Sequence, residues 1–460
     1  MKTISKRFFV LLAVLALFVG CLATFLVKFA VEADAWVAFP GNGHLYSGGV
    51  LKNSGAIFDR TGRVLKYGSE DGGGYNDSEE IRRATLHVVG DKTGAIATGA
   101  QTIFGSKLSN YNIFTGVYGL DGSTNGTDAT DLYLTVDAEI ERAAYKALGN
   151  RKGAVAVYNY KTGELLCLVS TPTFDPENPP EISDDDPKWD GVYLNRATNG
   201  LFAPGSIFKI ITSAAALEYI PDIEEREFTC TGSYEIGPDK VTCPNRHGTL
   251  DFKRAMSVSC NCTYAQIALE LGGDKLQKVA ERAGYNSSIS YGPKSFATSS
   301  VDAANASGSL LAWAGIGQHT DLQNPAHMAV ILGAIANGGR AKNPYLLERT
   351  ERAGVSESGR SSGELDMFPS SVAEKLQEML RYNVEHNYGS GRFAGLTVGA
   401  KSGTAEVGEG KENHAWFAGY VEEESCPIAF AVVVENGGAG SSVAGDVAGK
   451  VVTACKKALG

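Results

Sequence analysis

The chain has 460 residues, of which 43% are apolar and 20% are charged, and its charges sum to −10 at pH 7. This apolar content can bury a sizeable core, which excludes wholesale disorder, and the acidic balance argues against a nucleic-acid-binding protein. The eight cysteines are too few for a disulfide scaffold. At roughly 150 residues per domain, the length predicts about three units, or one large and one small.

The first element is an apolar run from Phe8 to Val27, whose 20 residues carry no charge and are about enough to span a bilayer. Three basic residues precede it: Lys2, Lys6 and Arg7. The positive-inside rule then places the N-terminus in the cytoplasm and the rest of the chain outside. A cleaved signal peptide is the alternative, and Cys21 offers a weaker lipoprotein alternative. We predict a cytoplasmic stub and transmembrane signal anchor over 1–30, in a single-pass protein of the cell membrane.

The next segment, residues 31–150, is rich in Gly, Asn, Ser and Asp, which predicts an irregular, loop-rich domain. Near its end, a strand pattern is followed by a helix pattern. Thr135 or Asp137 would cap the start of that helix, and Gly149 would end it. Because the sequence changes character at Lys152, we place a domain boundary near residue 150.

The remaining residues, 151–460, predict an α+β domain. Two strand patterns open it, GAVAVYNY and ELLCLVST, and three close it, within LTVGAKSGTAEV, HAWFAGYVE and PIAFAVVVEN. A mainly helical insert separates the two groups, and a final helix covers roughly Ala444 to Leu459. This order predicts one sheet covered by helices and closed by both ends of the segment.

The sharpest motif is Ser206-Ile207-Phe208-Lys209, which is the one S-x-x-K in the chain. It follows Pro204-Gly205 at the start of an apolar helix pattern, so Ser206 would lie in the first helical turn, where unpaired N–H groups favour negative charge. A serine hydroxyl needs a base to become a nucleophile, and Lys209 could serve if its pKa is lowered. The alternative is a helix cap with a solvent-facing lysine, which the apolar sequence around Lys209 disfavours.

A second motif, Ser259-Cys260-Asn261, precedes another helix pattern. An S-x-N triplet is weak by itself, because this chain contains many serines and asparagines. At a turn or helix start, its hydroxyl and amide could relay a proton and hold a substrate amide. The alternative is an ordinary helix N-cap.

A third motif, Lys-Ser/Thr-Gly, occurs three times, and two copies fall in the irregular N-terminal region and in the turn between the first two strands. The third copy, Lys401-Ser402-Gly403, follows both other motifs and lies in a predicted strand. Gly403 would let a substrate backbone approach closely. Thr404 would offer a backbone N–H, since an edge strand can pair with an extended peptide.

Seven cysteines would lie outside the membrane, so at least one cannot pair within the chain. Cys230 and Cys243 flank a Gly/Pro-containing stretch and could close a hairpin. Cys260 and Cys262, together with His247, do not form a C-x-x-C zinc pattern. Inert buried packing is therefore the preferred interpretation of Cys260 and Cys262, and neither a metal nor a cofactor is predicted.

In this order, the three motifs resemble the serine acyltransferase signature of penicillin-binding proteins and β-lactamases. The spacing from Ser206 through Ser259 to Lys401 resembles the class B penicillin-binding proteins, which are monofunctional peptidoglycan D,D-transpeptidases. The resemblance covers about 151–460 and implies the penicillin-binding/transpeptidase fold. That fold is an antiparallel sheet flanked by helices with a helical subdomain, and here a transmembrane helix and an irregular, dimerisation-like pedestal over 31–150 would precede it.

The resemblance also implies a role for each residue of the first two motifs. Ser206 would attack the carbonyl of the penultimate D-alanine of a peptidoglycan stem peptide, and Lys209 would take the hydroxyl proton. Ser259 and Asn261 would relay protons and position the substrate. The backbone N–H groups of Ser206 and Thr404 would form the oxyanion hole. D-alanine would leave, and an amine from a neighbouring stem peptide would resolve the acyl-enzyme.

In the third motif, Lys401 would supply electrostatic stabilisation, and Ser402, Gly403 and Thr404 would bind the substrate. KSG stands here in place of the commoner KTG. The implied ligands are peptidoglycan stem peptides and β-lactam antibiotics, which would acylate Ser206. By analogy with class B members, a membrane-embedded glycan polymerase would be a partner.

The motifs are also compatible with three alternative functions, each of which other features of the sequence disfavour. A D,D-carboxypeptidase or β-lactamase would hydrolyse the acyl-enzyme, but the E-x-x-x-N pattern of class A β-lactamases does not occur between Ser259 and Lys401. A β-lactam sensor would need further membrane helices or a cytoplasmic domain, and about seven residues precede the apolar run. A catalytically idle scaffold is disfavoured because all three motifs are intact.

Overall fold

The helices and strands follow the apolar patterning of the sequence in a computed structural model, which describes residues 2–37, 46–47, 50–52, 54–109, 129–183, 185–408 and 410–460. The described helices are α1 (Lys2–Val37), α2 (Glu79–Val89), α3 (Ala100–Ile103), α4 (Gly105–Leu108), α5 (Ala138–Leu148), α6 (Arg196–Asn199), α7 (Lys209–Tyr219), α8 (Phe252–Ser257), α9 (Asn261–Leu271), α10 (Gly273–Arg282), α11 (Gly308–Ala314), α12 (Pro325–Ala336), α13 (Ser370–Asn383) and α14 (Val443–Leu459). A 3₁₀ turn, Gly205–Ile207, precedes α7, and a π-helical turn, Val384–Tyr388, extends α13.

The described strands are β1 (Tyr46–Ser47), β2 (Val50–Leu51), β3 (Ile57–Phe58), β4 (Val64–Lys66), β5 (Asp131–Leu134), β6 (Gly153–Asn159), β7 (Leu165–Thr171), β8 (Glu227–Cys230), β9 (Ser233–Ile236), β10 (Asp239–Thr242), β11 (Gly248–Asp251), β12 (Arg340–Lys342), β13 (Leu347–Arg352), β14 (Val355–Ser358), β15 (Glu364–Asp366), β16 (Val398–Ala405), β17 (His414–Val421) and β18 (Ile428–Val434).

A five-stranded antiparallel sheet forms the centre of the larger domain, in the order β16-β17-β18-β6-β7. β18 is an uninterrupted apolar run and is buried along its whole length, as expected for a strand covered on both faces. Its Val432 lies opposite Val155 of β6, while Lys401 of β16 lies opposite Ala418 of β17. The two opening strands and three closing strands predicted from the sequence are therefore confirmed as one sheet, with β16 at its edge.

Helices cover both faces of this sheet. On one face, α5 and α14 share a buried cluster with the sheet that includes Ile140, Phe430 and Val451. On the other face, α12 packs on β6, β17 and β18, and its Ile331 belongs to the larger cluster that continues into the helical region. The α5 prediction is confirmed, and Asp137 is the residue whose side chain accepts hydrogen bonds from the first turn. The fold is therefore the α+β arrangement expected from the sequence.

The insert between the two groups of sheet strands contains more than the predicted helices. Two antiparallel pairs, β8 with β11 and β9 with β10, stand between α7 and α8. Each strand has four residues, and its alternation of buried and exposed side chains is short or incomplete. The prediction of a mainly helical insert was incomplete because such short strands leave little periodic signal.

A second five-stranded sheet combines strands from both sides of position 150, in the order β14-β13-β5-β3-β4. Leu347 of β13 lies opposite Leu134 of β5. α5, which precedes position 150 in the chain, packs on β7 and α14 of the larger domain. The division at 150 stays a prediction, and the strand pairing shows that chain order and spatial order differ there.

The N-terminal helix α1 carries the long apolar segment. Among the described residues, the stretch that is long and apolar enough to cross a membrane is Lys6–Phe29, with 24 residues and a mean hydropathy of 2.9. Its side chains are exposed, as Leu11 and Leu17 illustrate. Length, composition and exposure suit a membrane anchor.

Candidate active site

The Ser206 turn is held against the sheet by close backbone contacts. Gly205 has a φ of 53° and donates its N–H to the carbonyl of Gly317 at 2.8 Å. A Cβ on Gly205 would lie 2.5 Å from the carbonyl oxygen of Thr404, so glycine is required at this approach. The sequence placed Ser206 in the first α-helical turn, whereas it lies in a 3₁₀ turn and α7 begins at Lys209. Ser206 is partly exposed, and within the described residues neither its amide nor its hydroxyl makes a hydrogen bond.

Lys209 is fully buried and faces the second motif. Its Nζ donates to the Ser259 carbonyl at 2.7 Å, to the Ser259 hydroxyl at 3.1 Å and to Asn261 Oδ1 at 2.7 Å. Burial, and then the charge of Lys401, hold the pKa of Lys209 well below its ordinary value. The interpretation of Lys209 as a solvent-facing lysine is therefore wrong, and its lowered pKa favours the neutral amine, which is the form that a base requires.

The second motif occupies a strained turn at the start of α9. Ser259 has a φ of 58°, a left-handed conformation that is uncommon for residues other than glycine. Cys260 stands at the N-cap position of α9, and Asn261 is its first residue. The Asn261 amide accepts from Lys209 and donates through Nδ2 to the Thr242 carbonyl at 2.9 Å. Both ends of this amide are thus fixed, which orients its oxygen toward the lysine.

Lys401 approaches the same hydroxyl from the sheet. Its Nζ donates to Ser259 Oγ at 3.1 Å and to the Ser402 carbonyl at 2.7 Å. Lys401 is fully buried, and this burial lowers its pKa to about 7. The Ser259 hydroxyl therefore lies between two buried amines, Lys209 and Lys401. The structure brings the three predicted motifs together through this one oxygen atom.

The remaining predicted residues lie along the open edge of β16. Thr404 is exposed and Ser402 is partly exposed. That Gly403 admits a substrate backbone stays a prediction, and the glycine has a packing role as well. A Cβ there would lie 2.9 Å from the Pro204 carbonyl oxygen and 3.0 Å from Ile207 Cγ2. Gly403 thus allows the Ser206 turn to pack directly on the strand.

Sequence reasoning missed Tyr388, which supports the third motif. Its hydroxyl lies 3.0 Å from Ser402 Oγ and also accepts from the Ser402 amide at 3.0 Å. Tyr388 is in the π-helical turn after α13, a distortion that often accompanies functional sites. Asn383, on the same helix, donates to the Ala400 carbonyl at 3.0 Å. Neither residue belongs to a short motif, so the sequence offered no local signal for them.

The fold and the site together are those of a serine acyltransferase: a partly exposed Ser206 turn, two buried lysines and an open strand edge. The sequence profile of the penicillin binding protein transpeptidase domain matches residues 153–453. The chain therefore belongs to the penicillin-binding protein transpeptidase family, and the relatives that it matches are those of class B.

Individual relatives agree with this membership. The chain is 28% identical to "Peptidoglycan D,D-transpeptidase PbpA" of Mycolicibacterium smegmatis over 377 residues, which cover 75% of this chain and 73% of that protein. It is similar to the crystal structure of the D,D-transpeptidase domain of a peptidoglycan glycosyltransferase from Eggerthella lenta, with a TM-score of 0.72, 27% identity and coverage of 88% of this chain and 99% of that one. The crystal structure of PBPA from Mycobacterium tuberculosis gives a TM-score of 0.74 and 25% identity, with coverage of 87% and 99%.

Proposed function

We propose that this chain is a serine-type D,D-transpeptidase that cross-links peptidoglycan stem peptides through an acyl-enzyme on Ser206. The observation that carries the proposal is the buried network that joins Lys209, Ser259 and Lys401 behind the partly exposed Ser206. Membership of the penicillin-binding family and the D,D-transpeptidase names of its relatives support the reaction class.

Acylation begins with proton transfer from Ser206. Lys209 takes the hydroxyl proton because its lowered pKa favours the neutral amine, and the Ser206 oxygen attacks the carbonyl of the penultimate D-alanine. The amides of Ser206 and Thr404 stabilise the negative charge on that carbonyl oxygen, at about 3–4 kcal/mol per donor in comparable sites. Ser259, in contact with both lysines, passes the proton to the amine of the departing D-alanine.

Deacylation reverses these roles. The amine of a second stem peptide attacks the acyl carbon, its proton goes to Lys209 through the same contacts, and Ser206 regains its hydroxyl. The donor peptide lies as an added strand along β16, whose outer edge is open among the described strands. Lys401, Ser402 and Thr404 recognise the terminal carboxylate, and Asn261 holds a substrate amide. A β-lactam occupies the same place and acylates Ser206.

We further propose a membrane position for the chain. The apolar segment Lys6–Phe29 would anchor it, and the basic residues at the N-terminal end of this segment support an extracytoplasmic catalytic domain. On that side of the membrane, the active site would bind stem peptides as they are incorporated into the peptidoglycan. A membrane-embedded glycan polymerase is the partner that would supply the glycan strands to be cross-linked.

Labelling with a fluorescent penicillin tests the proposal. The full chain in detergent should label covalently, and Ser206→Ala should remove the label while the thermal unfolding transition remains. Lys209→Ala should slow labelling by orders of magnitude, because the serine loses its base. Ser371→Ala, an exposed serine at the start of α13, serves as the matched control and should label normally. Equal labelling of the Ser206→Ala variant would overturn the assignment.

A donor stem peptide with an added D-amino acid separates transpeptidation from hydrolysis. The acyl-enzyme should pass to the added amine and give the exchanged peptide as the main product. Release of the free acid alone would identify a carboxypeptidase. The Ser206→Ala variant should give neither product.

A further inference from the structure

A group of thiols and one imidazole lies beside the active site and has no role in the acyl-transfer chemistry. The side-chain ligand atoms of Cys230, Cys243, His247 and Cys260 all lie within 4.8 Å of one another. His247 Nδ1 is 3.5 Å from Cys230 Sγ and 3.4 Å from Cys243 Sγ. The three cysteines are buried, and all three are free thiols. We call these four residues the thiol cluster.

The folding of the insert assembles the cluster from distant parts of the sequence. Cys230 ends β8, Cys243 follows β10, and His247 precedes β11. Cys260 is the N-cap residue of α9. Each side chain is thus held at the end of a regular element, where the two strand pairs meet the helix. No C-x-x-C spacing results, which explains why the sequence favoured inert packing for Cys260.

The ligand atoms and their spacing suit one kind of ion. Thiolate and imidazole ligands favour Zn²⁺ over Mg²⁺ or Ca²⁺. A tetrahedral zinc with Zn–S bonds of about 2.3 Å places its sulfur ligands about 3.8 Å apart. The four ligand atoms lie within 4.8 Å of one another, so small side-chain shifts would bring them to this geometry.

We propose that Cys230, Cys243, His247 and Cys260 bind one structural zinc ion. The four protein ligands complete a tetrahedral shell, which is typical of structural rather than catalytic zinc. On binding, the thiol protons are released to solvent and replaced by zinc–sulfur bonds. No electron is transferred.

The cluster is joined to the active site through covalent neighbours. Cys260 lies between Ser259 and Asn261 in the sequence, and both of these residues accept hydrogen bonds from Lys209. Cys243 follows Thr242, whose carbonyl accepts the Asn261 amide. A zinc ion therefore fixes both sides of the Asn261 hydrogen bond. It also links two short strand pairs that have little core of their own, a common use of metal in small units.

The neighbouring Cys262 offers a competing chemistry. Burial first, and then contacts with Cys230 and Cys243, raise the pKa of the Cys262 thiol to about 12. A disulfide between two of these thiols, formed with loss of two protons and two electrons to an oxidant such as molecular oxygen, prevents zinc binding. The four-ligand group does not include Cys262, so zinc binding leaves this thiol free.

Metal content gives the first test. The full chain, purified in detergent without chelator, should contain about one zinc per molecule by elemental mass spectrometry. Cys230→Ser and His247→Ala should lower the content severalfold, whereas Cys426→Ala, a buried thiol in the other core cluster, should retain it. Absence of zinc from the wild type, or an intact mass two hydrogens lighter from a disulfide within the cluster, would overturn the proposal.

Cobalt substitution gives a second, spectroscopic test. Co²⁺ added to chelator-treated wild type should produce a thiolate-to-cobalt charge-transfer band and the visible bands of tetrahedral cobalt, and zinc should displace both. His247→Cys should keep tetrahedral binding with a stronger charge-transfer band. Octahedral cobalt spectra, or a full signal in Cys230→Ser, would contradict the ligand set. None of these readouts depends on peptide cross-linking, so they stand apart from the proposed enzymatic function.

Discussion

Two lysines share one hydroxyl in this site, yet their surroundings divide their roles. Lys209 donates to acceptors of the second motif. Its burial and the positive charge of Lys401 lower its pKa and favour the neutral amine. For Lys401, burial is the cause of the lowered pKa. At a pKa of about 7, a fraction of the Lys401 amines remains protonated at neutral pH. Groups whose pKa values are separated in this way supply a base and a charge at the same pH.

We predict a pH dependence for penicillin acylation that follows Lys401. Its charge attracts the carboxylate of the β-lactam and disappears as the pH rises through about 7, so the second-order rate should fall above that pH. Lys401→Arg should abolish this alkaline decline, since guanidinium stays protonated. The exposed Lys411→Arg is the control and should keep the wild-type profile. A wild-type rate that still rises between about pH 7 and 9 would contradict the assignment.

At the scale of elements, the Ser206 turn and β16 act as one unit because glycine permits their contact. Gly205 and Gly403 each bring backbone or methyl groups closer than a Cβ would allow. The edge strand β16, where we propose that the peptide binds, and the turn that carries Ser206 are therefore held in fixed relation. This arrangement is the kind of preorganisation on which acyl transfer depends.

Gly403→Ala tests this contact. The added methyl would meet the Pro204 carbonyl oxygen at 2.9 Å and should push the Ser206 turn away from the strand. We expect acylation to fall on the order of tenfold to a hundredfold, at a stability cost of about 1–3 kcal/mol. Gly391→Ala is the matched control, because nothing lies within 4 Å of its Cβ position. Stopped-flow acylation and thermal unfolding measure the two effects, and equal rates for both variants would refute the argument.

Much of the fold and of the candidate site could be predicted from the sequence where hydrophobic periodicity is strong. Buried strands such as β18 and the helices α5 and α14 were predicted, as were the three motifs that the fold joins at Ser259. The four-residue strands β8 to β11 were not predicted, because so short a segment shows little alternation of apolar and polar residues. Tyr388 and the thiol cluster were missed for a related reason: their meaning depends on which segment ends meet in space.

At the scale of the whole molecule, the larger domain relies on residues that precede it. α5 buries Ile140, Ala144 and Leu148 against its sheet, and β5 supplies the partner of β13. Burial of each large aliphatic side chain contributes about 1.5–3 kcal/mol, against a total stability of about 5–15 kcal/mol for a typical domain. Loss of these elements should remove much of the margin of stability.

We therefore predict different outcomes for two truncations that both lack α1. A fragment of residues 54–460 should be soluble, unfold cooperatively and label with penicillin. A fragment of residues 151–460 should aggregate or melt at a clearly lower temperature, because the α5 and β5 contacts are missing. Circular dichroism melts and labelling of the soluble fraction compare them directly. Matching melts would show that the larger domain folds without the preceding residues.

The pairing of β5 with β13 also sets an order of events during synthesis. At about 5–20 residues per second, Leu347 emerges roughly 10–40 seconds after its partner Leu134. Until then β5 lacks one neighbour, and the sheet that contains it cannot close. Contacts between such distant segments form slowly because a long loop must be ordered first. The sheet that contains β5 and β13 is thus begun early in the chain and completed late, after β13 and β14 have been made.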